Sequence, residues 1–402
     1  METSPKIALA VALEGAGWHP AAWRLPGARP AELFSGRYWV DLVREADRAG
    51  VDFVTIDDSM SVQSRRRGVP DDRIDRVRGR LDAVLIAARV APITRSLGLV
   101  PTATTTHTEP FHVSKAIATL DYVSGGRGGV QVRVSPTALE ARQFGRRRIP
   151  DVAAGADDGT GSGVPGPATD LFDEAADFIE VVRRLWDSWE DGAEIRDVET
   201  GRFIDRDRLH YIDFEGRWFS VKGPSITPRP PQGQPLVTAL AHVPVAFRLA
   251  ARQADLVFVT PDGPDEARAI IAGLRTEEAA VHRTGPPLLV FADLVVFLDP
   301  EPTAAAERRT LLDGLAGRPH RSDAHVFTGT PAGLVDLLVE WETAGIDGFR
   351  LRPAAIPIDL EAITRQVVPL ARQRGILRGQ PRGRTLREHL GLLRPENRYV
   401  DA

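Results

Sequence analysis

Residues 95–136 read RSLGLVPTATTTHTEPFHVSKAIATLDYVSGGRGGVQVRVSP, and this stretch decides the fold. It begins with a short apolar run that breaks at Pro101 into a polar loop rich in threonine, where we expect a first strand to end. Apolar residues at helical spacing follow Pro110, which suits the first turn of a helix because its missing N–H is not needed there. The glycine pair 125–126 ends that helix, and alternating valines in residues 130–134 predict a second strand.

This unit is a βαβ crossover with its polar residues at the carboxyl end of the first strand. The same alternation of short apolar strands and amphipathic helices runs from Lys6 to Arg374, and eight strands can be assigned. Eight such repeats predict an α/β fold of the (βα)8 TIM-barrel type, in which active sites lie at the carboxyl ends of the strands. A doubly wound open sheet is the alternative, and the lack of a strand-linked GxGxxG fingerprint argues against it.

We expect a single domain over residues 1–402, with insertions at about 150–169 and 192–234. The first insertion is rich in Gly, Pro and Asp without apolar periodicity, which is typical of a loop. The second contains several aromatic residues, which suggest a hairpin packed over the barrel mouth or a subunit contact.

Composition excludes several classes of protein. The net charge is −4, with 51 basic and 55 acidic residues, so the chain lacks the concentrated basic surface that nucleic-acid binding requires. Cysteine is absent, which excludes disulfides, thiolate metal sites and a cysteine nucleophile and favours a cytoplasmic protein. The apolar run near the amino terminus is too short to predict a signal peptide or a membrane span.

The candidate active-site residues narrow the chemistry. The three lysines lie away from predicted strand ends, which argues against a Schiff-base enzyme. His19, His107 and His242 each follow a predicted strand, but they lack the spacing of metal ligands, so we assign no metal site. The remaining hydroxyls, amides and aromatic rings suit a flat, polar, anionic cofactor that supplies its own chemistry.

Long and unusual motifs are spread over nearly the whole chain. They include HPAAWRLP (19–26), VDFVTIDDS (51–59), LGLVPTATTTHTEPFHVSKAIATLDYVSGGR (97–127), GRWFSVKGPSITPRPPQGQP (216–235) and TLREHLGLLRPENRY (385–399). In these motifs the chain resembles the bacterial luciferase-like flavin monooxygenases, in particular the nitrilotriacetate and dibenzothiophene-sulfone monooxygenase branch. The resemblance implies a barrel enzyme, a homodimer or homotetramer, that uses O2 and reduced FMN from a separate flavin reductase to oxygenate a small organic substrate.

The same resemblance implies roles for individual residues. The implied cofactor-binding residues are Asp58, Thr104, Thr105, Gln131 and Ser135, to which we add His242 as a candidate for the flavin phosphate. His107, which stands where the family has a tyrosine, and His19 in the first loop are the candidate catalytic residues.

One departure from the family pattern concerns the flavin phosphate. Residues 239–246 read ALAHVPVA where family members carry Gln-Ala-Gly-x-Ser-x-x-Gly, so the usual phosphate-binding loop is altered. His242, Arg248 or Arg133 are candidates to replace it. Two alternatives stay open: a flavin or deazaflavin oxidoreductase of the same fold that transfers hydride, and a ligand-binding barrel that no longer catalyses.

Overall fold

The computed structural model describes residues 7–64, 68–149, 166–378 and 385–400. Eight parallel strands form a closed ring. In chain order they are β1 (Ala8–Leu13), β2 (Phe53–Ile56), β3 (Gly98–Thr104), β4 (Gly129–Arg133), β5 (Leu236–Leu240), β6 (Leu256–Val259), β7 (Leu289–Leu298) and β8 (Gly348–Pro353). Each strand pairs with the next, and β8 closes the ring by pairing Gly348 with Ala8 of β1. The predicted TIM barrel is therefore confirmed, and the open sheet is excluded.

Helices surround the ring. They are α1 (Gly36–Ala49), α2 (Ala83–Val90), α3 (Pro110–Ser124), α4 (Ala138–Phe144), α5 (Gly166–Asp187), α6 (Pro244–Gln253), α7 (Pro264–Ala280), α8 (Pro302–Ala316), α9 (Pro331–Glu342), α10 (Ile358–Ala362), α11 (Val368–Gln373) and α12 (Leu386–His389). A π-helical turn, Ile363–Val367, joins α10 to α11. Among the described helices, none has both the length and the apolar composition needed to cross a bilayer.

The amino end of the barrel is closed by apolar residues. Phe53, Phe258 and Phe291 pack together inside it with the first residues of several strands. The segment containing Leu386 and Leu390 packs against this cluster from outside the ring. Because this end is filled, the described part of the barrel is open to a ligand only at the carboxyl ends of the strands.

One local prediction was wrong, and two elements were not predicted. β3 continues past Pro101 to Thr104, because Pro101 is the last residue of β3 paired with β2 and the strand goes on by pairing with β4. An additional strand, His325–Gly329, lies between α8 and α9 and pairs with the last part of β7, which extends beyond its partner β6. The short helix α4 was not predicted either.

The second insertion forms two small antiparallel sheets, Glu194–Asp197 with Arg202–Ile204 and Phe214–Glu215 with Ser220–Val221. Ile212 and Phe214 pack against Val181 and Leu185 of α5, so the hairpin covers an outer helix and the prediction that it covers the barrel mouth was wrong. The subunit contact stays a prediction. The first insertion lies outside the described residues as far as residue 165.

Candidate active site

A cavity of about 140 Å³, which we call the central cavity, opens at the carboxyl ends of the strands. Its wall is contributed by most of the barrel strands and by two loops. The polar and charged residues that line it are Glu14, Thr55, Asp57, Thr102, Gln131, Asp323, Arg350 and Arg352. Trp18, in the loop after β1, adds an aromatic surface beside the guanidinium of Arg352.

The floor of the central cavity is a buried ion network on β7 and β8. The Asp293 carboxylate accepts hydrogen bonds from both Arg350 and Arg352, and all three side chains are almost fully buried. Arg350 also donates to the Gln131 side-chain oxygen and lies 3.6 Å above the ring centroid of Phe258. These contacts fix both guanidinium groups, because each has several partners in a fixed geometry.

Arg352 carries positive charge to the cavity surface. Burial would lower the pKa of Arg352, but the neighbouring carboxylates of Asp293 and Asp323 raise it above the ordinary arginine value. Burial would raise the pKa of Asp323, but Arg352, at 2.7 Å, lowers it to about 2. Both groups therefore stay ionised over the whole physiological range.

The opposite wall holds a pair of carboxylates that share one arginine. Arg80 lies 3.3 Å from Glu14 and 3.0 Å from Asp57, which follow β1 and β2. Burial raises the pKa of Glu14 to about 7, the charge of Asp57 adds to this effect, and Arg80 opposes it. Glu14 can therefore hold or release a proton near neutral pH, inside the cavity.

Some predicted cofactor-binding residues lie at or near this cavity. Gln131 lines it, and its side-chain oxygen is held by Arg350. Thr104 is buried two residues beyond Thr102 on β3, so both face the barrel interior. The hydroxyl of Thr105 donates to the backbone carbonyl of Arg133, at 3.2 Å, and thus ties β3 to β4.

The carboxylate that lines the cavity after β2 is Asp57 and not the predicted Asp58. Thr55 and Asp57 line the cavity, whereas the Asp58 carboxylate accepts the backbone N–H of Ala83 at 3.0 Å, at the start of α2. Burial raises the pKa of Asp58, although its N–H donors oppose that effect. In this structure Asp58 joins β2 to α2.

The hydroxyl of Ser135 is likewise hydrogen-bonded within the protein. Its hydroxyl donates to Glu140 of α4, which also accepts from Ser59 at 2.6 Å and lies 3.3 Å from Arg133. Burial would raise the pKa of Glu140, but Arg133 and these hydroxyl groups lower it. Glu140 therefore connects the loops that follow β2 and β4.

His107 is buried and stacks on Phe144, with ring centroids 5.0 Å apart. Its Nε2 atom has no hydrogen-bond partner among the described residues. Burial and then the positive charge of Arg147 lower the pKa of the ring, so His107 is neutral at neutral pH. A buried imidazole nitrogen without a partner is available to a ligand.

The other two histidines lie elsewhere. The His19 ring is buried between α8 and the loop after β1, where Nε2 contacts Asp313 at 3.1 Å and Nδ1 accepts from the Ala21 N–H. His242 is at the exposed rim, 2.9 Å from the Thr260 hydroxyl and 3.5 Å from Asp323. The structure therefore brings together Gln131, Thr104 and the loops that follow β3 and β4. His19 lies apart from them, beside α8. The predicted roles of all eight residues stay predictions.

Sequence reasoning missed several groups that line the cavity. Strand alternation could have indicated Asp57 and Thr102, since Asp57 shares the inner face of β2 with Thr55 and Thr102 shares the inner face of β3 with Thr104. A lone Asp293 in an apolar strand also indicated a buried ion pair. In the described part of the chain, no group of three metal-ligating side chains is placed to hold a metal ion.

Comparison with known proteins assigns the family. The family model described as luciferase-like monooxygenase matches residues 17–334. The chain is 29% identical to the N-acetyl-S-(2-succino)cysteine monooxygenase of Bacillus subtilis (strain 168), over 98% of both chains. It is 28% identical to nitrilotriacetate monooxygenase component A of Aminobacter aminovorans, over 99% of both.

The fold agrees with a solved structure. The EDTA monooxygenase of Chelativorans sp. BNC1 superposes with a TM-score of 0.78 at 21% identity, over 97% of this chain and 99% of that one. These matches confirm the resemblance noted in the sequence motifs. The chain belongs to the luciferase-like monooxygenases, and it is a flavin-dependent oxidoreductase of that family.

Proposed function

We propose that this protein is the oxygenase component of a two-component system, which takes reduced FMN from a separate flavin reductase and uses O2 to oxygenate a small organic substrate. The observation that carries this proposal is the polar central cavity at the only open end of the described barrel. A cytoplasmic location and a homodimeric or homotetrameric assembly stay predictions.

The residues of the cavity fit a flavin. The Thr102 hydroxyl and the Arg352 Nε atom are buried without hydrogen-bond partners among the described residues, so both are available to ligand oxygens or nitrogens. The positive charge of Arg352 favours an anionic ring edge, and reduced flavin is more electron-rich than oxidised flavin. We assign Thr102, Gln131 and Arg352 to the pyrimidine edge of the ring.

When bound, the flavin supplies the redox chemistry with O2. The protein then has to orient substrate, exclude water and handle protons. Glu14 is suited to hold a proton, because its carboxyl group is the one in the cavity whose pKa is raised to about 7. Trp18 lines one side of the cavity and offers an apolar surface to a bound ring.

The test is a titration of the purified full-length protein with oxidised FMN and, under anaerobic conditions, with reduced FMN. We expect saturable binding, with the reduced form bound at least tenfold more tightly. Preference for a reduced deazaflavin over reduced FMN would instead support the hydride-transferring alternative. No binding of any flavin would refute the proposal and support a non-catalytic barrel.

A further inference from the structure

A second cavity, of about 320 Å³, lies among the loops that follow β1, β2 and α8. We call it the rim cavity. Its polar and charged lining residues are His19, Ser64, Arg76, Arg318, His320 and Arg321. None of the described residues that line it is a carboxylate, so its surface is positively charged.

Two nitrogen atoms of this lining are buried without a partner. They are Nε of Arg76 and Nε2 of His320, neither of which has a hydrogen-bond partner among the described residues. The nearby carboxylate of Asp75 is bound by Arg73 instead of Arg76. Buried polar nitrogens without partners are uncommon in folded proteins, so an oxygen-bearing ligand is the expected partner.

The cavity wall is rigid where the two histidines meet. The rings of His19 and His320 are 5.0 Å apart, and Asp313 accepts from His19 and from the backbone N–H of His320. Burial and then His19 lower the pKa of His320 to about 4, with Arg309 and Arg318 lowering it further and Asp313 opposing them. His320 is therefore neutral near pH 7, and a bound anion would raise its pKa.

The loop that follows β1 and the loop that follows α8 contribute residues to both the rim cavity and the central cavity. In the loop after β1, Trp18 lines the central cavity and the adjacent His19 lines the rim cavity. In the loop after α8, Asp323 lines the central cavity and Arg321 lines the rim cavity. The central cavity, at about 140 Å³, is smaller than the roughly 300 Å³ at which ligand sites begin. A ligand of ordinary size must therefore extend beyond it.

We propose that the rim cavity binds the carboxylate or phosphate group of a ligand whose remaining part occupies the central cavity. Arginine side chains match the paired oxygens of both groups. The anion comes either from the flavin phosphate, whose usual family loop is altered at residues 239–246, or from an acidic organic substrate. The assignment of this anion to the flavin or to a substrate rests on the proposed function.

The test is a calorimetric titration of the full-length protein with inorganic phosphate. We expect saturable binding that Arg76→Met weakens at least tenfold, because the variant removes a charge-assisted hydrogen bond and keeps the side-chain length. Arg321→Met, at an exposed position, serves as a second variant if Arg76→Met folds poorly. Arg37→Met, an exposed arginine of α1, is the matched control and leaves the affinity unchanged.

The same variants distinguish the two sources of the anion. If the flavin phosphate occupies the rim cavity, Arg76→Met weakens FMN but not riboflavin, and phosphate competes with FMN alone. If an acidic substrate occupies it, both flavins bind both proteins equally and phosphate still binds. Phosphate binding with no flavin binding would refute the proposed function and keep the site. Absence of saturable phosphate binding, or equal effects of Arg76→Met and Arg37→Met, would refute the site.

Discussion

Replacing Glu14 by glutamine tests the electrostatics of the central cavity. The folded protein raises the pKa of this carboxyl group from 4.5 to about 7, mainly by burial. Between these two pH values the folded state keeps a proton that the unfolded state releases. The contribution of Glu14 to stability is therefore largest below about pH 4.5 and is lost as pH rises through about 7. Glutamine cannot ionise, so the variant escapes this loss.

The magnitude follows from the two pKa values. At about 1.4 kcal/mol for each pKa unit, the complete effect is about 3 kcal/mol. Since 27% of the Glu14 side chain is exposed, solvent screening reduces our expectation to about 2 kcal/mol. Glu14→Gln should therefore be more stable than the wild type by about 2 kcal/mol near pH 8, with the difference largely gone near pH 5.

Urea denaturation followed by circular dichroism at about pH 5 and about pH 8 measures this difference. The control is Glu32→Gln, because Arg29 lowers the pKa of Glu32 and its carboxylate is ionised at both pH values. Its difference from the wild type should not change with pH. The reasoning is refuted if the gap between wild type and Glu14→Gln is the same at the two pH values.

Three further outcomes are expected. Asp293→Ala leaves two buried arginines without a counter-charge and should lower the free energy of unfolding by about 3–5 kcal/mol, against about 1 or less for Asp170→Ala in an exposed ion pair; similar losses in urea denaturation would contradict the buried network. His107→Phe removes a buried nitrogen that has no described partner, so stability should hold while FMN affinity, measured by fluorescence, falls at least tenfold; unchanged affinity would count against a ligand contact. Asp58→Ala leaves the Ala83 N–H unpaired and should lower stability by about 1–3 kcal/mol with FMN affinity unchanged; weaker FMN binding at full stability would instead support its predicted role as a cofactor ligand.

The barrel could be predicted from the sequence because its strands and helices are marked by local patterns of apolar residues. β5 and α3 lie at the predicted residues, since each has strong periodicity and a clear start or stop signal such as Pro110 or Gly125. The missed helix α4 also had its signals: Thr137 caps the backbone N–H of Glu140, and Gly145 ends the helix in the left-handed conformation.

Other features depend on distant parts of the chain. The strand His325–Gly329 pairs with the part of β7 that extends beyond β6. Its presence therefore depends on the lengths of two other strands. The role of Asp58 depends on where α2 begins, and that of His19 on the position of Asp313 almost three hundred residues away. A resemblance to a family locates such residues in the sequence, but it does not predict which groups they contact in this chain.

The ion network of Asp293, Arg350 and Arg352 gives the barrel a fixed base. Below it the interior is packed with phenylalanine rings, so no substitution at the mouth can make the cavity deeper without first dismantling that base. Laboratory evolution toward larger substrates would then have to widen the loops around Trp18 and Asp323. Variation tolerated there would alter which molecules enter, while the scaffold beneath stayed intact.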